Sequence, residues 1–358
     1  MLAVTLATSP AALAPPDSLC TVEDRRLVEL SGMVVDRGGL WAMADSGRRV
    51  ELHRLDTRDC SVTDTRTAAI DPFDAEDLAR GPDGALWVAD TGDNERRRAT
   101  VAVIVVPARG AARLHRLTYP DGPHDAEALL VDAAGVPFVI TKEVGRPAGI
   151  YRTEGSLAGP RVDTEGSLAG PRVDTEGSPD GRGQDRTAGS AIPLVRVGEV
   201  TLPVSDTPGG PIGGLGSRVV TGAATSANGR VVALRSYTDA WLYPMVGDDI
   251  LAALAEWPVH VPLPDEPQGE AIAFEPDGTL LSGSEGRGPD AGMVRAVSGA
   301  AALAEGADGA APTEAPRAGP AGAPAGDDGP VWVTAVIAGV VLVLLGIAAL
   351  SLRTSRRH

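Results

Sequence analysis

The chain has 358 residues and a formal charge of −16, and only 3% of its residues are aromatic although 43% are hydrophobic. Such a chain can build a core from Val, Ala and Leu, but its 44 Gly and 29 Pro exclude a helical bundle, because many fall where tight turns belong. The acidic balance, with no basic stripe to neutralise phosphates, also excludes a nucleic-acid partner.

The N-terminal residues 1–14 read as the remnant of a signal peptide, apolar and ending Ala12-Leu13-Ala14 in the form a signal peptidase cuts. Cys20 and Cys60 are the only cysteines. In an exported domain such a pair is expected as a disulfide.

Residues 15–297 carry an internal repeat. Segments beginning at Glu29, Glu76, Glu127, Thr221 and Glu270 share a lead-in, a short apolar strand, a tight turn containing Gly, and a second apolar strand. The turns RGG, PDG, AAG, ANG and PDG supply the positive φ that a hairpin requires. Further apolar segments follow, such as 100–107 and 112–119 after the second unit. Four strands per unit at a period near fifty predict an all-β fold, a β-propeller with five visible blades, or six if the terminal segments form more than a closing strand. The termini are expected to pair in one blade, with Cys20–Cys60 pinning the closure.

One spacing, from Glu127 to Thr221, is nearly twice the others. Residues 153–163 recur perfectly at 164–174, and a third copy begins at Thr175. The stretch 153–190 therefore reads as a low-complexity loop insertion, with 192–203 as the outer strand behind it.

Beyond the repeats, residues 298–330 are dominated by Ala, Gly, Pro and acids and read as a flexible stalk. Residues 331–352 are 22 in a row without a charge, long enough to span a bilayer as a helix. Asp327 and Asp328 precede this run, and the tail 353–358 carries Arg353, Arg356 and Arg357. The basic flank belongs in the cytoplasm, so the expected topology is a single-pass plasma-membrane protein with its propeller outside and its C-terminus inside.

Acidic residues recur at both ends of the first hairpin in four units: Glu29 with Asp45, Glu76 with Asp90, Glu127 with Glu143, and Glu270 with Glu285. The fourth unit has Thr221 and Ser236-Tyr237 instead. The start of one strand and the end of its antiparallel partner lie at the same end of a blade, so these carboxylates should crowd one mouth of a central channel, near Asp74, Asp77, His124, Asp125 and Gln268. Crowded carboxylates need compensation. They could accept backbone N–H bonds from neighbouring blades, bind a hard cation such as Ca²⁺, or share protons for acid–base chemistry. Repetition favours the structural use, since an active site is seldom repeated four times. No other cofactor motif is present, and Trp41 and Trp87, at equivalent positions, read as core.

The segments QGEAIAFEPDGTLL and DAEDLARGPDGALWVAD resemble the NHL, gluconolactonase and phytase-like esterase propellers, over roughly residues 20–297. In gluconolactonase-like enzymes a channel-mouth Glu ligates a divalent metal, which the resemblance maps to Glu29, Glu76, Glu127 or Glu270. The architecture, with Lys142 as the only lysine among many arginines, is also similar to membrane-anchored actinobacterial propellers. Two functions follow as expectations. One is a cell-surface scaffold that binds a small-molecule ligand or an envelope protein at its acidic mouth. The other is a calcium-dependent lactonase or phosphoesterase.

Overall fold

The short apolar runs read from the sequence become twenty strands in five antiparallel sheets. The first comprises β2 (Leu30–Asp36), β3 (Gly39–Ala44), β4 (Val50–Leu55) and β5 (Val62–Ala68). The second comprises β6 (Asp77–Arg80), β7 (Leu86–Asp90), β8 (Val101–Val106) and β9 (Arg113–Thr118). The third comprises β10 (Ala126–Val131), β11 (Pro137–Thr141), β12 (Ala148–Thr153) and β13 (Ile192–Val200), and the fourth β14 (Val220–Thr225), β15 (Val231–Ser236), β16 (Asp239–Pro244) and β17 (Val259–Pro262). The fifth joins β18 (Gly269–Phe274), β19 (Leu280–Ser284) and β20 (Gly292–Val297) to the N-terminal strand β1 (Asp17–Val22), which pairs antiparallel with β20. A short parallel contact, Ile192 with Leu117 and Pro193 with Thr118, links the outer edges of the second and third sheets.

The computed structural model describes residues 13–37, 39–159, 191–286 and 292–307. Residues 1–12 of the expected leader, 160–190 of the expected loop insertion, 308–330 of the expected stalk, the run 331–352 and the tail 353–358 lie outside them. Among the described residues no helix is long and apolar enough to cross a membrane.

The innermost strands β2, β6, β10, β14 and β18 pack side by side in that order, and β18 returns to β2. Five sheets around one axis is the arrangement of a propeller, and no sixth is formed from the described residues. Its core is divided into five apolar clusters, one between each pair of adjacent sheets. Strand β8 shows why its sequence is continuously apolar: Val101, Val103 and Val105 enter the cluster shared with the third sheet, while Ile104 and Val106 enter the one shared with the first. A strand sandwiched on both faces has no polar side to present. Trp41 and Trp87 are core residues, 3% and 0% exposed. The expected hairpin glycines Gly84, Gly135, Gly229 and Gly278 all adopt positive φ.

The reading of 298–330 as a stalk needs correction at its start. A helix over Ala300–Ala307 inserts Ala300, Ala301 and Ala304 into the cluster between the fourth and fifth sheets. Alanines that read as linker composition are here small enough to let a helix lie flat against the strands.

The disulfide is formed as expected: Cys20 on β1 is bonded to Cys60, which lies between β4 and β5, with Cα atoms 5.5 Å apart. It ties the closing sheet to the first one. Closing a loop of 40 residues restricts the unfolded chain by about 3–4 kcal/mol in the chain-entropy account. We therefore expect the Cys20→Ser variant to lose about that much stability in urea unfolding; a change below about 1 kcal/mol would show that the bond does not secure closure.

Candidate functional site

The site is built by a β-bulge used repeatedly. In four sheets the pairing of the first and second strands slips by one residue, at Ser31, Glu127, Thr221 and Glu270. Glu76 holds the corresponding place in the second sheet, donating its N–H to Ala89 O at 2.8 Å just before β6. A bulge re-aims the side chain of its extra residue. Here three glutamates and two hydroxyl residues enter one ring around the axis, one from each blade.

The glutamates meet. Ser31 Oγ lies 3.5 Å from both Glu76 Oε2 and Glu270 Oε2, and it donates to Glu76 O at 2.5 Å. Carboxylate oxygens of Glu76, Glu127 and Asp125 lie within 4.8 Å of one another, and all three residues are buried. Lys142, just after β11, donates to Glu127 Oε1, and its Nζ sits 5.6 Å from the Tyr237 ring centre. Gln268 Nε2 donates to Glu270 Oε1 at 3.0 Å. Glu127 Oε2 is buried with no hydrogen-bond partner.

Burial and mutual repulsion set the electrostatics. Glu76 and Glu127 are held well above the usual carboxylate range, first by burial; in Glu76 the Glu127 charge adds to this, and in Glu127 Lys142 opposes it. Glu270 is raised by burial, with Lys142 pulling the other way. Burial disfavours the Lys142 ammonium, but Glu127, Tyr237, Glu270 and Glu76 around it push its pKa well above the ordinary value.

A second tier stands further out. Asp45 is raised to about 8, by burial and then by Glu29, Glu270 and Asp74. Glu285 is raised to about 9, by burial and then by Glu270, Asp45 and Glu29. Asp74 is raised to about 6, by burial and then by Asp125. Gly92 makes this crowding sterically feasible: a Cβ there would stand 2.0 Å from Glu76 Oε1 and 2.6 Å from the Asp74 carboxyl.

Of the eight acids expected at the mouth, Glu76, Glu127 and Glu270 form the ring, and Glu29, Asp45 and Glu285 belong to the outer tier. Asp90 and Glu143 do neither. Asp90 accepts from the backbone N–H of Phe73 and Asp74 and from Arg98, at 3.0 to 3.1 Å, as a staple. Glu143 is drawn aside by Arg96 at 2.8 Å and Arg146 at 2.5 Å. The pairing by sequence also needs a shift in the first sheet. Glu29 O accepts from Asp45 N as Asp125 O does from Lys142 N, so Glu29 matches Asp125, and Ser31 is the partner of the three ring glutamates. Two residues at the ring, one a member and one its cationic partner, escaped the sequence reading. Ser31 is an unremarkable residue type, whereas Lys142 could have been found as the chain's single lysine, one residue before an acid expected at the mouth.

Beneath the ring, Asp77 bolts three blades together. Its Oδ2 accepts from Leu129 N on β10 at 2.8 Å and from Ala223 N on β14 at 3.1 Å, and its Oδ1 from Leu78 N at 2.8 Å. This is the staple role foreseen for the acids, performed by a neighbour of the ring. Burial raises Asp77 to about 7 despite these bonds.

No protein-family model and no curated protein matches the sequence. The chain is a β-propeller. Among solved structures it is similar to a glutaminyl cyclase from Myxococcus xanthus, at 13% identity, covering 80% of this chain and 96% of that one, with a TM-score of 0.41. An aldose sugar dehydrogenase from Streptomyces coelicolor, solved with PQQ bound, gives 12% identity, coverage of 81% and 100%, and a TM-score of 0.40. A gluconolactonase from Xanthomonas campestris gives 13% identity, coverage of 75% and 72%, and a TM-score of 0.36. These three proteins carry different activities, and likeness this distant transfers none of them to the propeller described here.

The raised carboxyls fix a pH dependence. Asp74, Asp77, Asp45 and Glu285 keep their protons in the fold up to about 6, 7, 8 and 9, whereas in the unfolded chain they lose them near pH ~4. The folded state therefore binds more protons, and the stability this contributes is complete below that unfolded value and lost as pH rises through 6 to 9. In excess chelator the melting temperature should fall from pH 5 to pH 9; a rise over that range would be incompatible with the burial of these four carboxyls.

Proposed function

We propose that this propeller binds a hard divalent cation, calcium foremost, on its axial carboxylates, and that it is held outside the plasma membrane to present the acidic mouth to a small-molecule ligand or an envelope partner. The observation that carries the cation is Glu127 Oε2, a buried carboxylate oxygen without a partner among further carboxylates that Lys142 alone cannot balance. The donor set is oxygen throughout: Glu76, Glu127, Glu270, Asp125 and the Ser31 hydroxyl. That composition suits calcium or magnesium rather than a thiolate- or imidazole-seeking metal. The extracytoplasmic placement is supported by the Cys20–Cys60 bond, which persists in oxidising compartments, and by the uncharged run 331–352 with its basic flank.

A second reading is favoured by Lys142. A buried ammonium beside a cation site can stabilise an oxyanion, which would suit hydrolysis of a lactone or phosphoester. In that case Lys142 and Tyr237 would orient the anionic oxygen, and a bound cation would polarise the scissile group.

The full chain, purified in detergent, should melt at higher temperature with calcium than with chelator, and Glu127→Gln should remove most of that shift. An unchanged melting temperature in the wild-type protein would reject the cation site. Panels of lactones and phosphoesters then separate the two readings: turnover lost in Lys142→Met, with calcium stabilisation retained, would establish the hydrolase, and no turnover on either panel leaves binding.

A further inference from the structure

The ring leaves unexplained a second cavity, of about 320 Å³, between the first and second blades. None of the ring or outer-tier acids lines it. Its walls are the turn at Arg26, the β3–β4 hairpin tip Ser46–Arg49, strand β4 and, from the second blade, Pro72, Ala75 and Val88. Two features set it apart in a chain of charge −16. Three arginines, Arg26, Arg48 and Arg49, line it against one carboxylate, Glu51. Behind them the cleft is backed by Met43, Val50, Leu52 and Val88, all nearly fully buried, and its accessible apolar surface includes the half-buried Ala44 and Pro72.

The arginines are not equally engaged. Asp24 takes Nε and Nη2 of Arg26, at 2.9 and 2.6 Å. Glu51 Oε1 takes Arg49 through Nε and Nη2, both at 2.7 Å. These pairs fix the direction of two guanidiniums while leaving other N–H donors of each free, since a guanidinium has five. Arg48 has no ion pair among the described residues, and Gly47, with φ +135°, turns the hairpin tip that carries it. At the floor His53, 1% exposed, is bonded through Nδ1 to Thr65 Oγ1 at 3.0 Å. Its Nε2 is 3.8 Å from Glu51 Oε2, beyond hydrogen-bond reach, so it remains a polar contact for a guest.

We infer that this cleft binds a small organic anion, a carboxylate or phosphate monoester on a compact apolar body, with the anionic group on Arg48 and Arg49 and the body against the half-buried Ala44 and Pro72. Guanidinium forks match the planar or tetrahedral oxygens of such groups, and an apolar wall with a few convergent donors is how small-molecule sites are built. The volume lies at the small end of the range for such sites, which excludes a polymeric anion lying within it.

The test uses the full chain in detergent and four probes of one shape: benzoate, phenyl phosphate, benzyl alcohol and benzylamine, each titrated calorimetrically at low salt. We expect saturable binding of benzoate or phenyl phosphate and none of the alcohol or amine; which anion binds tighter identifies the head group. The double variant Arg48→Ala, Arg49→Ala should weaken that binding by at least ~10-fold, the loss expected for one charge-assisted contact, while Arg230→Ala, an exposed arginine of the fourth blade, should not. Arg48→Glu, at a single exposed position, provides the same readout should the double variant melt abnormally. No saturable heat below ~10 mM for either anion, equal binding of benzyl alcohol, or an unaffected double variant would overturn the inference. Calcium stabilisation should be the same in the Arg48 and Arg49 variants as in wild type, so this result and that for the axial site stand or fall separately.

Discussion

The close approach of five innermost strands around one axis governs this molecule. At two places there is no room between them for a side chain. Gly32 passes so near the second blade that a Cβ would stand 2.7 Å from Leu78 N, and Gly222 passes the fifth so that a Cβ would stand 2.3 Å from Glu270 O. The residue before each of these glycines is a bulge residue, Ser31 or Thr221. Each hydroxyl donates to a backbone carbonyl of the neighbouring blade, Glu76 O or Gly269 O. Close packing of backbones leaves carbonyls that must be satisfied, and the bulges supply the donors.

The same geometry creates the charge problem. What places Ser31 and Thr221 against backbone places Glu76, Glu127 and Glu270 against one another. Burial strengthens their repulsion, and Lys142 relieves only part of it. A propeller that needed only mechanical closure already has Asp77, three N–H bonds on one carboxylate, and the fully buried Arg235–Glu266 pair bridging the fourth and fifth blades through Ser282. Against that background the ring glutamates go beyond what closure needs, unlike Asp90, whose Oδ1 accepts from Arg98 and two backbone amides. The proposed cation site rests on that crowding and on the unpartnered, buried Glu127 Oε2.

The arginine cleft shows the opposite bias a short way along the same chain. Asp45 faces the acidic tier, while Ser46 to Arg49, next in sequence, turn to the cleft. One hairpin tip thus divides the acidic tier from the arginines, and the ligands proposed for the two regions differ in charge.

The sequence by itself determined the blades. Hairpin glycines, continuously apolar strands and a period near fifty are local properties, and each survives in the fold because a strand buried on both faces must be apolar and a tight turn must admit positive φ. It also determined that Glu76, Glu127 and Glu270 share one ring, since they recur at one point of the repeat, and that Cys20 and Cys60 are bonded. Only the tertiary structure decided that Ser31, not Glu29, is the first blade's contribution, because a one-residue bulge changes which side chain faces the axis without changing the apolar pattern. It alone removed Glu143 from the mouth, through arginines 47 residues back and three residues on in the chain, and brought Lys142 into the ring. Contacts of that kind depend on where separate blades place their ends, and no local spacing encodes them.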